Sequence, residues 1–140
     1  MLSESQKIKK ILVPLDGSKN SLRGLQTGIN LAKEHEASLT VIYAIHLPHK
    51  KEIKQKAREE ETLPEFILFA KKLAVNNGVP FYSRILTGDP GYSIVEYSNT
   101  HKIDLIVIGA RGLSTLKKIF LGSVSSYVMQ KSKVAVMLIK

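Results

Sequence analysis

Leu105-Ile106-Val107-Ile108-Gly109-Ala110-Arg111-Gly112-Leu113-Ser114-Thr115-Leu116-Lys117-Lys118-Ile119-Phe120-Leu121-Gly122-Ser123 decides how the rest of the chain reads. Its first four residues are apolar and mostly β-branched, the signature of a fully buried strand. Glycines then stand where that strand ends, where the chain must turn and where a helix begins. If the partner is a phosphate chain, each has a physical task. Gly109, with no Cβ, lets backbone and ligand approach closely, and Gly112 can take the positive φ of a reversal. Gly122-Ser123 opens a helix whose unpaired N–H groups and positive dipole end attract an anion, with the Ser123 hydroxyl as a further donor. An isolated glycine after a strand is usually a turn residue. Four positions fitting at once favour an anion cradle.

Working outward, short apolar runs alternate with amphipathic stretches. Lys9-Lys10-Ile11-Leu12-Val13-Pro14-Leu15 reads as a buried first strand, with Pro14 where pairing finishes. Ser18 is placed to cap a helix with Leu22, Leu25, Ile29 and Ala32 on one face. Residues 37–45 form a second strand. Residues 46–61 hold five basic residues and four glutamates and read as an exposed excursion. Thr62-Leu63-Pro64-Glu65 has capping-box spacing, which predicts a helix burying Phe66, Phe69, Ala70 and Leu73 and ending at Asn77-Gly78; a start a turn or two earlier, with Pro64 as a bend, is the other reading.

Residues 79–87 read as a polar edge strand. Asp89-Pro90 caps and starts a helix presenting Ile94 and Val95, and Asp104 introduces the fourth strand. Residues 123–131 form the last helix, with Val124, Tyr127 and Val128 on one side. Val134-Ala135-Val136-Met137-Leu138-Ile139 is a fifth strand, apolar and suited to a sheet edge that pairs with a second copy. Strands alternating with helices imply an α/β fold: an open parallel sheet covered on both faces, with right-handed crossovers.

The chain has 140 residues, 44% hydrophobic and 24% charged, which suits a single domain over residues 1–140. No apolar run approaches the roughly 20 residues of a membrane helix. The first residues lack the apolar core of a secretion signal, so the expected location is cytoplasmic. Without cysteine there is no thiol nucleophile, disulfide or thiolate metal site. The net charge of +9 would attract polyanions, nucleotide phosphates among them. No groove-reading helix or aromatic stacking set accompanies the lysines, so nucleic acid is not the expected partner.

The spacing of the glycines, two residues and then nine, followed by Ser123, resembles the nucleotide-binding signature of the universal stress protein family. Members of that family with this pattern bind ATP, and members lacking it generally do not. The run Lys10-Ile11-Leu12-Val13-Pro14-Leu15-Asp16-Gly17-Ser18 also looks like the family's first strand and its aspartate, and the order of elements matches over nearly the whole chain. The resemblance implies a five-stranded sheet in the order 3-2-1-4-5, of the adenine nucleotide alpha hydrolase-like type, in which the first and fourth strands are neighbours. Ligands of such sheets lie beyond the carboxyl ends of the strands, where strand order reverses. By the same likeness Pro14 and Asp16 lie against the nucleoside, and Ala44 offers backbone contacts to adenine. Gly109, Gly112, Gly122 and Ser123 hold the phosphates, while Val124 and Ser125 add helix-start amides. Asp16 also has a plain reading as a helix cap. Arg111 reaches either a phosphate or the solvent. The family often has a proline just before the core of the last strand, where this chain reads Val134-Ala135-Val136, a departure that touches the dimer edge.

Catalytic signals are weak. There is no Gly-x-x-x-x-Gly-Lys-Ser/Thr loop, and His46-x-x-His49 with Glu52 reads as solvated loop before it reads as a metal site. Magnesium would bridge the phosphates of bound ATP using few protein groups. Without a placed base, hydrolysis is expected to be slow or absent. The expectation is a nucleotide-responsive regulatory or stress-resistance module, a homodimer through its last strand. Two alternatives are an adenylating enzyme of the related α/β group, of whose pyrophosphate loop Leu15-Asp16-Gly17-Ser18 is a faint echo, and a basic nucleic-acid binder.

Overall fold

Ile11, Leu12 and Val13 are all fully inaccessible to solvent, which a strand achieves only when both faces of its sheet are covered. The computed structural model describes residues 7–45, 63–111 and 122–140. The elements run β1 (Lys10–Pro14), α1 (Lys19–His35), β2 (Ser38–Ile45), α2 (Glu65–Asn76), β3 (Phe81–Thr87), α3 (Pro90–Thr100), β4 (Leu105–Gly109), α4 (Ser123–Lys131) and β5 (Ala135–Ile139). The strands form one sheet in the order β3-β2-β1-β4-β5, and every neighbouring pair is parallel.

Strand alternation divides the core into two layers. Ile11, Val13, Leu39, Val41, Leu105 and Val107 face α1 and α2, where they meet Leu25, Ile29, Ile67 and Ala70. Leu12, Ile42, Ile106 and Ile108 face the other way, onto Ile94 and Val95 of α3 and Val128 of α4. The start of β1 is fixed to β4 by Asp104, whose Oδ2 accepts from the amides of Lys9 and Lys10 at 2.9 Å each.

Helix starts follow their caps. Ser18 Oγ accepts from the Ser21 amide at 3.1 Å, and Asp89 Oδ2 from the Tyr92 amide at 3.0 Å with Pro90 in the first helical position. The start of α2 departs from the capping-box expectation. Its cap residue is Pro64, whose side chain has nothing to accept with, and Thr62 lies outside the described residues. The buried face is Ile67, Ala70 and Ala74, flanked by the partly buried Phe66 and Leu73, while Phe69 is half exposed. A helix beginning at Glu65 and packing against β2 turns position 67 inward and position 69 out. The excursion at 46–61, with its histidines, also lies outside the described residues.

Candidate functional site

β1 and β4 are neighbours, so the residues that follow them converge at the carboxyl edge of the sheet. A cavity of about 240 Å³ opens there. Pro14, Asp16, Ala44, Gly109, Arg111, Gly122, Ser123, Val124 and Ser125 all line it. Gly112 lies outside the described residues. Ile42, Ile108, Ile94 and Pro90 complete an apolar side that the sequence reading had assigned only to strand cores and to the start and inner face of α3.

Two halves of different chemistry result. The ladder between β1 and β2 ends with the Leu15 amide donating to the Ile42 carbonyl at 2.8 Å. Alternation turns the amide and carbonyl of Ala44, two residues on, to the same side, into the space β1 has vacated. A donor and an acceptor beside an apolar wall suit the edge and face of a planar heterocycle.

The opposite half is polar. Gly122, with φ −74° and ψ 163°, is the cap residue of α4 and offers no side chain to the first-turn amides of Ser123, Val124 and Ser125, three residues that line the cavity. Ser123 is exposed and caps nothing. Ser125 is 3% exposed, and its hydroxyl is directed at the carbonyls of Ala110 (2.7 Å) and Gly122 (3.1 Å). Its side chain is thus engaged within the protein, and its amide stands among the first-turn N–H groups of α4.

Asp16 is partly buried. Its Oδ1 accepts from the Ser18 amide at 2.9 Å, bending the chain through Gly17 at φ +85° into α1. Ser18, not Asp16, is the helix cap. Phe66 of α2 packs on this turn, with ring carbons 3.1 and 3.3 Å from where a Cβ on Gly17 would stand.

At Gly109, which lines the cavity, the backbone also approaches α1 closely. A Cβ there would lie 2.6 Å from Asn20 Oδ1 and 3.0 Å from the Asn20 carbonyl, so the space left by the missing side chain belongs to α1. The sequence reading missed Asn20 because nothing local marks it. Among the described residues, no group of three or more His, Asp or Glu is placed to hold a metal, and no helix is long and apolar enough to cross a membrane.

A five-stranded parallel sheet in the order 3-2-1-4-5, with helices on both faces and this crevice at the reversal of strand order, defines a Rossmann-like protein of the adenine nucleotide alpha hydrolase-like type. Within that class the chain belongs to the universal stress protein family, whose sequence model matches residues 7–140. A universal stress protein of Methanocaldococcus jannaschii is 36% identical to it, over 94% of this chain and 82% of that one. Universal stress protein YxiE of Bacillus subtilis is 30% identical over 94% and 98%. Among solved structures, UspA of Lactobacillus plantarum superposes with a TM-score of 0.78 at 25% identity, covering 96% of this chain and 99% of that one. A universal stress protein in complex with cAMP gives 0.68 at 29% identity, covering 94% and 96%.

Proposed function

We propose that this universal stress protein binds ATP with magnesium in the crevice and works in the cytoplasm as a nucleotide-responsive regulatory or stress-resistance module with little or no hydrolysis. The observation that carries the reading is the convergence of Asp16, Ala44 and Gly122 from three separate elements on one cavity with an apolar and an anion-seeking half. The 29%-identical relative solved with cAMP supports an adenine nucleotide as the ligand class.

In this reading the base lies between Pro14, Ile42, Ala44 and Ile94, with Asp16 beside the ribose. The phosphates meet Gly109, Gly112, Gly122 and the first amides of α4, and the Arg111 guanidinium closes over them. A magnesium ion bound with the nucleotide would supply charge neutralisation and would need few protein ligands. The chain's own groups bind and orient.

The test is to purify the protein natively, denature it and identify what is released, then to titrate ATP with and without magnesium by calorimetry. Stoichiometric adenine nucleotide, or a fitted affinity in the micromolar range or tighter, supports the proposal. No binding at millimolar ATP sinks it. Turnover at ordinary enzyme rates that disappears in Asp16→Ala would favour the enzymatic alternative.

A further inference from the structure

We infer that Asn20 is a positioning residue for the crevice, holding the Gly109–Arg111 arm in register by one side-chain amide; the functional consequence rests on the nucleotide-binding reading above. Asn20 Oδ1 accepts from the Arg111 amide at 2.8 Å, and Asn20 Nδ2 donates to the Ile139 carbonyl at 3.1 Å. These two partners fix the orientation of the amide, because reversing it would set NH₂ against N–H and oxygen against carbonyl. The register between β4 and β5 ends at Gly109 opposite Ile139, followed by the Ala110 amide donating to the Ile139 carbonyl at 2.7 Å. Asn20 adds one more rung, so that Arg111, already past the strand, is still held to the sheet.

Glycine at 109 is a requirement of the same device, since a Cβ there would displace Oδ1. Gly24, one turn further along α1, also lies over the strand exit, 3.6 Å from the Gly109 amide by its hypothetical Cβ. A consequence for recognition follows directly. The Arg111 N–H points to Asn20, so Arg111 meets an anion through its guanidinium alone, launched from a backbone that Asn20 keeps still.

The experiment compares Asn20→Ala, Gly109→Ala, the double variant and Asn20→Asp with wild type. Ile29→Val serves as a destabilised control in the same helix. Amide exchange at Arg111 is followed by NMR without ligand, and ATP–magnesium affinity by calorimetry. Both single alanine variants are expected to speed Arg111 exchange and to weaken binding by about five- to twentyfold, roughly the weight of one or two hydrogen bonds. The double variant should be no weaker than the weaker single, because both break one bridge. Asn20→Asp keeps the acceptor for the Arg111 amide but sets a carboxylate oxygen against the Ile139 carbonyl, so protection at Arg111 should fall between those of wild type and Asn20→Ala. Ile29→Val should lower the melting temperature and leave both readouts alone. Unchanged Arg111 exchange in Asn20→Ala overturns the inference, as does wild-type affinity in that variant. If wild-type protein binds no nucleotide, the proposed function fails, while the exchange data still decide whether Asn20 holds the arm.

Discussion

The Gly122 amide donates to the Ala110 carbonyl at 2.7 Å, so the cap residue of α4 lies beside the exit of β4. The Ser125 hydroxyl is directed at the same carbonyl, also at 2.7 Å, and joins the first turn of α4 to the strand exit. The amides offered to an anion are therefore held by a strand end and a helix start acting as one piece.

Gly122→Val tests whether that piece carries a ligand. Gly122 has φ −74°, an ordinary extended value open to any residue, so the substitution introduces no left-handed strain. It adds a branched side chain at the mouth of the cradle. ATP affinity is expected to fall by about tenfold or more, a loss above 1.4 kcal/mol, with the far-ultraviolet circular dichroism unchanged. Equal affinity by calorimetry would remove Gly122 from the site.

Asp16 and Ser18 separate binding from stability. Ser18→Ala removes the α1 cap and is expected to destabilise the protein by about 0.5–2 kcal/mol in urea unfolding with little change in nucleotide affinity. Asp16→Ala removes the acceptor for the Ser18 amide and the group proposed beside the ribose, so it should lower stability by about 1 kcal/mol and affinity as well. Equal effects of the two substitutions on affinity would make Asp16 a structural residue only.

The two ends of this site differ in how well the sequence reveals them. Caps at Ser18 and Asp89, the strand from Leu105 and the helix start at Gly122 follow from local chemistry, because a cap or a breaker acts within four residues of itself. The order of the strands came from family likeness. Asn20 could not be read, since its partners Arg111 and Ile139 lie 91 and 119 positions away and no periodicity links them. The exposure of Phe69 and burial of Ile67 escaped for a related reason. The phase of an apolar helix such as α2 is set by what it packs against, not by its own nearly uniform pattern. Ile42 and Ile94 read correctly as core, yet their second role as a wall of the crevice depends on β1 ending at Pro14 while β2 continues to Ile45.

Gly28→Ala addresses the packing that brings α1 onto the sheet. A Cβ at this helical position would stand 2.6 Å from Val13 Cγ2 and 3.4 Å from Leu39 Cδ1. Alanine ordinarily favours a helix over glycine by about 1 kcal/mol. Here overpacking of about 1–3 kcal/mol should win, giving a net loss in urea unfolding. Adding Val13→Ala opens room for the new methyl group, so the double variant should be destabilised by less than the sum of the two single losses. Additive losses would show that Gly28 does not contact Val13 as the geometry has it.

The outer edge of the sheet beyond β5 is the surface proposed for a second copy. β5 pairs with β4, Ala135 is exposed and Met137 is 37% exposed, which leaves an apolar strand edge of the kind that pairs or aggregates unless covered. Sedimentation velocity at micromolar concentration is expected to give a dimer. Met137→Lys sets like charges against each other across an isologous interface, where every substitution appears twice, and should shift the protein to monomer. The crevice lies at the carboxyl ends of β1 and β4, so the monomeric variant should still bind ATP. A wild-type monomer, or a Met137→Lys dimer indistinguishable from wild type, would place any contact between copies on another face.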